Sequence, residues 1–215
     1  MTTDLIVVGA GGFGRETLDV IEAIARVGAG PQYNVLGVID DRPSEVNLNR
    51  LAARGYRWLG TVAEALAGAP AHYALAIGTP SVRHRVAEQF DAKGWRAVTL
   101  VHPAAVVGSV ASIGEGCIIC GGVQLSTNTS LGRFVHLNPS ATIGHDSNLA
   151  DYVSVNPGAI VSGEVTIGSR VLVGAGAVVL QGLTVARDAT IGASACVTHN
   201  VPEAVVVVGV PGRWN

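Results

Sequence analysis

From Val101 to Val197 an aliphatic residue stands at every sixth position without a miss, seventeen in all, among them Val107, Ile113, Leu125, Leu137, Ile143, Val155, Val173 and Ile191. A helix repeats its apolar residues three and four apart, and a half-buried strand repeats them every second residue, so a strict period of six fits neither. It predicts a parallel β-helix in which three six-residue steps close one triangular turn. The fourth residue after each of these positions is also small or aliphatic, as at Ala105, Cys117, Val123, Thr129, Ala141, Val165, Ala177 and Ala189. Two inward positions per step define a narrow core of about five turns, stacked at roughly 4.8 Å. That narrowness explains why residues 101–200 hold only two aromatic residues, Phe134 and Tyr152, neither at an inward position. Glycine follows the inward aliphatic at Gly108, Gly114, Gly132, Gly144, Gly168, Gly174 and Gly192, where the chain turns a corner and a side chain would be costly.

Charge excludes some partners. The formal net charge is -2, and residues 101–200 carry three arginines, no lysine and five acids. Nothing there forms the basic stripe that nucleic acid or an anionic membrane requires. The start at Met1–Asp4 lacks a basic region followed by an apolar core, and no apolar run is long enough to span a bilayer, so a cytoplasmic protein is expected. Three cysteines without a secretory signal argue against a disulfide framework. Cys117 and Cys120 spell CxxC, but Cys117 occupies an inward position and no second pair completes a zinc site, so both read as core.

Residues 1–100 follow a different rule and are expected to form a small α/β unit with a parallel sheet, ahead of the coil at 101–215. The strand Leu5–Val8 runs into Gly9-Ala-Gly-Gly-Phe-Gly14 and then into a helix over 15–25 with apolar residues at helical spacing. Further strands are expected at 35–39, ending at Asp40-Asp41, at 73–77, and at 97–101, with a helix over 81–93 before the last. Gly9, Gly11 and Gly14 read GxGxxG between strand and helix, a place where free backbone N–H groups receive an anion. Asp40 suits a ribose hydroxyl. Fewer than about a hundred residues give only half of a doubly wound fold, so a mononucleotide, or a nucleotide joined to something small, fits better than a dinucleotide. The alternative is that the glycines serve only a tight turn and close helix packing.

Of the four histidines in the coil (His102, His136, His145 and His199), one is followed by an acid, in Ile143-Gly-His-Asp-Ser147. His145 lies two residues after an inward aliphatic and should project outward near a corner, with Asn138 seven residues earlier on a neighbouring face. A carboxylate that orients the imidazole would make His145 a workable general base.

The GAGGFG turn, the IDD after the second strand, the AIG at the third, the hexapeptide coil with its His-acid pair, and the closing Gly209-Val-Pro-Gly-Arg213 together resemble the NeuD/PglD family. These are bacterial sugar acetyltransferases that use acetyl-CoA. The resemblance spans essentially the whole chain and implies a left-handed coil, a sense that the crossover rule for parallel strands would not itself select. It implies His145 as the base that deprotonates the sugar amine or hydroxyl, Asp146 as its acidic neighbour, and Asn138 in the acceptor pocket. Gly163 corresponds to the backbone group near the thioester carbonyl, expected to face the site from a neighbouring subunit, and Ala175 and Ala193 to positions that hold the pantetheine arm. Gly9, Gly11, Asp40 and Asp41 correspond to the loops around the nucleotide. Some relatives have a second histidine at the position of Ser154. The resemblance also implies a homotrimer with active sites between subunits, and no metal.

The reading is acetyl transfer from acetyl-CoA to the amino group of a nucleotide-linked amino sugar. Its alternatives are O-acetylation of a sialic acid type of sugar and a non-catalytic sugar-nucleotide binding protein. A zinc hydrolase on a similar coil would need three converging histidines, and His102, His136 and His145 hold different positions within their steps.

Overall fold

The computed structural model describes residues 2–28 and 30–214. The N-terminal unit runs β1 (Thr2–Val8), α1 (Gly12–Val27), β2 (Gln32–Ile39), α2 (Glu45–Ala52), α3 (Val62–Leu66), β3 (His72–Leu75), α4 (Pro80–Ala92) and β4 (Arg96–Ala97). Its four strands pair in parallel in the order β2-β1-β3-β4. Gly28, left-handed at φ 68°, closes α1 by donating to Ile24 O. The helices α2 and α3 were not anticipated, being eight and five residues long, too short to display an apolar period. Side-chain caps start them: Ser44 accepts from Asn47 N–H, and Thr61 and Glu64 form a capping box.

The segment expected as a single strand over 97–101 is divided between two sheets. Arg96–Ala97 completes the N-terminal sheet, while Leu100–Val101 opens the coil by pairing with Ile118–Ile119. Leu100 therefore already belongs to the coil, one residue before the expected boundary.

The coil is a left-handed parallel β-helix of two-residue strands, with faces of seven, six and five strands. It is thus somewhat taller than the five turns inferred from the repeat. Each rung pairs with the residue eighteen positions on, as in Leu137 with Val155 and Ile143 with Val161. The aliphatic ladder fills the interior, and from Leu125 to Val197 its members are buried. After Val197 the period fails: Val185 bridges Val201 and Ile191 pairs with Val207, steps of sixteen, and those two valines close the core.

Corner geometry separates two roles that the sequence had merged. A Cβ at Gly108, Gly114 or Gly144 would run into backbone of the next rung, so these glycines serve close approach between turns rather than an unusual dihedral. Left-handed backbone occurs two residues later, at Val110, Asn128, Asp146, Glu164 and others with φ near 60°, where Asn and Asp are the best-tolerated non-glycine residues.

The three faces have different outward residues. One presents Ile118, His136 and Ser154, all buried because the α/β unit lies on them. The second presents Val106, Gln124, Thr142, Ile160 and Val178; the third presents Ser112, Ser130, Asn148, Thr166 and Thr184. On the first face Phe134 and Tyr152 stack at 5.4 Å and join Tyr73, Phe90 and Trp95 in one aromatic cluster. The two aromatics excluded from the coil's interior therefore anchor its neighbour.

At the centre of this junction lies Arg83 of α4, fully buried. Its guanidinium donates to Phe134 O (3.0 Å), Ile77 O (2.7 Å), Gly78 O (3.1 Å), Tyr152 O (2.7 Å) and Ser154 Oγ (3.0 Å). Ser154 Oγ in turn donates to Gly78 O at 3.0 Å. Burial pulls the Arg83 pKa down to about 9, still above neutral, so a cation is enclosed by carbonyl dipoles without a carboxylate. Arg83→Met should lower unfolding free energy by at least ~3 kcal/mol, because several buried acceptors lose their donor together. Ser154→Ala should cost only about 1 kcal/mol. Chemical denaturation decides the point, and equal costs for the two variants would show that the guanidinium does not hold the junction.

Candidate active site

His145 sits on the edge between the second and third faces, where Asp146 has left-handed backbone at φ 59°. That dihedral turns the carboxylate back on its neighbour, and Asp146 Oδ2 lies 2.6 Å from His145 Nδ1. The other oxygen, Oδ1, accepts a 2.6 Å bond from the Asn128 amide. Asn128 occupies the same corner position one turn earlier, also with positive φ. The Asn128 hydrogen bond, with that to His145 second, holds the Asp146 carboxyl below the usual carboxylate range. An ionised acceptor at Nδ1 fixes the proton there and leaves the Nε2 lone pair free.

The edge of the imidazole lies against Gly163. A Cβ on Gly163 would lie 2.7 Å from Nε2 and 2.8 Å from Cε1, so the missing side chain is what lets the ring take this position. The neighbour is Gly163 of the same chain, one turn up, which corrects the expectation that it would face the site from another subunit. The Gly163 N–H finds no acceptor among the described residues.

Asn138, Ala175 and Ala193 lie on a different edge, between the first and second faces. Asn138 is buried and donates to Asn156 Oδ1 at 3.0 Å, while Ser194 N–H donates to Ala175 O one turn below it at 2.8 Å. No contact joins Asn138 to His145. One chain thus separates the expected site residues into two edges flanking the second face: His145, Asp146 and Gly163 on one, Asn138, Ala175 and Ala193 on the other.

Two other histidines and two cysteines of the coil lie away from this edge. His136 is buried against Phe13 of α1, with ring centroids 4.6 Å apart, and His102 Nδ1 accepts from Ala104 N–H at 2.9 Å. Burial pushes the thiols of Cys117 and Cys120 up to about 12, as suits core residues.

A second site opens at the C-terminal ends of β1, β2 and β3, the usual ligand position in an open α/β sheet. This cleft of ≈ 510 Å³ is lined by Gly9, Asp40, Asp41, the apolar Val62, Ile77, Val82 and Val86, and two arginines, Arg42 and Arg85. Asp40 braces the loop, its two oxygens accepting from Ala10 N–H and Arg42 N–H, each at 2.8 Å. Asp41 accepts from Val62 N–H at 2.8 Å, at the start of α3. The arginines carried no motif by which the sequence could announce them. Asn128 could have been found by subtracting one turn from Asp146.

The glycines of the turn divide between packing and access. A Cβ on Gly14 would collide with Gly9 O, and one on Gly9, itself at φ 118°, would meet Ala76 O at 2.6 Å. Gly11, the N-cap of α1, has nothing within 4 Å of its Cβ position. Gly14→Ala should therefore cost about 1–3 kcal/mol through overpacking, whereas Gly11→Ala should cost under about 1 kcal/mol as an N-cap change. Unfolding curves of the two variants test the division, and similar losses would assign Gly11 to packing too.

Residues 4–90 match the PglD N-terminal domain family. A GDP-perosamine N-acetyltransferase of Escherichia coli O157:H7 is 35% identical over 143 residues, which make up 65% of this chain and 61% of that protein. The match thus spans less than two thirds of the length of that relative. The acetyltransferase domain of PglB from Neisseria gonorrhoeae FA1090 superposes over 99% of this chain and 100% of its own, with a TM-score of 0.82 and 28% identity. It has also been solved in complex with acetyl coenzyme A. WeeI from Acinetobacter baumannii AYE covers 100% of both chains, with a TM-score of 0.85 and 28% identity. The chain thus combines a PglD-type N-terminal domain with a coil, and it is similar from end to end to the PglB acetyltransferase domain and to WeeI.

Proposed function

We propose that this protein transfers the acetyl group of acetyl-CoA to the amino group of a nucleotide-linked amino sugar. The observation that carries the reading is His145 on an exposed edge of the coil, its Nδ1 held by Asp146 and its Nε2 without a hydrogen-bond partner among the described residues. His145 Nε2 takes a proton from the amine as nitrogen attacks the thioester carbonyl. The unpaired Gly163 N–H is the donor for the oxyanion of the tetrahedral intermediate. Collapse forms the amide and breaks the C–S bond, and the proton leaves with the thiol of CoA. Residues 1–100 hold the acceptor's nucleotide, around Gly9, Gly11, Asp40 and Asp41, and residues 101–215 hold acetyl-CoA. The relative named for N-acetylation of GDP-perosamine supports nitrogen as the acceptor atom. Acetyl-CoA and nucleotide sugars are both cytoplasmic metabolites, which supports action in that compartment.

The faces of the coil support a trimer. The α/β unit covers the first face over Ile118, His136 and Ser154 and leaves Val206 exposed (60%) only at its last rung, and the third face is polar, but the second exposes Val106 (56%) and Ile160 (41%), with Leu180 (38%) at its edge. Association through this face puts the His145 edge of one protomer beside the Ala175 edge of the next. The residues that a single chain separates are thereby united in one groove, and closed cyclic symmetry satisfies every protomer.

His145→Ala should fold normally and lose turnover by about 10²–10⁴, read as thiol release from acetyl-CoA with a panel of nucleotide-linked amino sugars. Asp146→Asn should lose less. Gly163→Ala should keep its stability, since only the far end of a side chain must yield, yet lose about 10² in kcat as the new methyl displaces the imidazole. Turnover near that of the parent in His145→Ala would remove the mechanism.

Subunit sharing is tested by mixing inactive His145→Ala chains with inactive Ala175→Trp chains, which carry their lesions on opposite edges. Activity should reappear in mixed trimers, at interfaces that receive both intact edges. A monomer by light scattering, or no recovery although mixed trimers form, would confine each site to one chain.

A further inference from the structure

We infer that Arg42 and Arg85 form a clamp for the diphosphate of the acceptor nucleotide, a role that rests on the proposed nucleotide-linked acceptor. Both side chains line the cleft at the ends of β1, β2 and β3. They approach it from different elements, Arg42 from the loop after β2 and Arg85 from α4. Neither guanidinium has a hydrogen bond or an ion pair among the described residues, although Asp40 and Asp41 line the same cleft. The carboxylates are directed at backbone N–H groups of the loop, so the guanidinium forks remain available to a ligand.

The composition of the cleft narrows what that ligand is. Two acids offset the two arginines, so a small free anion gains little from the field of the site. A ligand is favoured when an apolar, flat part lies against Val82 and Val86 while its anionic part meets the arginines. Val82, Val86 and Arg85 share one face of α4 at spacings of three and four, which puts the apolar wall and one guanidinium side by side. Planar forks bind phosphate oxygens in pairs, and two of them suit a diphosphate better than a monophosphate. A nucleoside diphosphate meets these conditions, whereas inorganic pyrophosphate lacks the apolar part. CoA also contains a diphosphate, and it serves as the competing source.

Isothermal titration of the full-length protein with GDP, UDP, GMP, UMP, pyrophosphate and CoA tests the clamp, using Arg42→Gln, Arg85→Gln and Arg85→Lys. Each Gln variant should weaken GDP or UDP by roughly 10- to 100-fold, the effect of losing a charge-assisted hydrogen bond, and weaken the monophosphate less. Arg85→Lys should fall between, and CoA affinity should not change. Unchanged diphosphate affinity, equal loss for mono- and diphosphate, or loss of CoA instead would overturn the clamp. If the parent protein acetylates a nucleotide-linked sugar and the Gln variants keep its KM, the function stands and the clamp alone falls. If the parent binds no nucleotide yet acetylates a simple amino sugar, the nucleotide-linked acceptor falls and the clamp falls with it.

Discussion

A single buried guanidinium decides how the two units of this protein relate. Arg83 has no carboxylate partner; its charge is spread over carbonyl groups contributed by the loop after β3 and by two successive rungs of the coil. Such an arrangement tolerates little displacement, because each carbonyl that moves away leaves part of a buried cation without solvation. The sheet's last strand also runs into the coil's first after only two intervening residues. The α/β unit is therefore fixed on the coil. One side of α4 grips the coil through Arg83 while another lines the cleft at the strand ends through Val82 and Arg85, so the position of the cleft is set by the coil itself.

The same economy operates at the His145 edge. Asp146 is oriented by its own dihedral and by an amide one turn below, and the imidazole is given room by a glycine one turn above. Three successive turns thus each supply one element of the site at a corner position. The repeat gives every corner the same geometry, and chemistry enters by changing which side chain stands there.

Much of this was visible in the residues. The period of six fixes the inward positions, because each step repeats the same two demands on volume, and His145 and Asp146 are adjacent in the chain. Asn128 is legible once eighteen is recognised as the distance to the turn below. Arg83 is not, since its acceptors in the coil lie 51 to 71 residues later on a face whose covering cannot be read from alternation alone. Nor does local pattern reveal Arg42 and Arg85, which look like any solvated charge until the ends of three strands bring them to one cleft. The expectation for Gly163 erred because the resemblance supplied a role without a position, and only the stacking of turns shows which imidazole it faces.

The register also governs how such a chain can be lengthened or shortened. Removing one residue from a middle rung would turn the later inward aliphatics from the interior to the surface, since each inward position is counted from the one before it. Removal of a whole turn would leave the packing intact and merely lower the prism. The shortened step after Val185 and Ile191 comes at the last turn, where no further rung has to match it. Length variation in a coil of this kind is therefore quantised within the body and free only at its end.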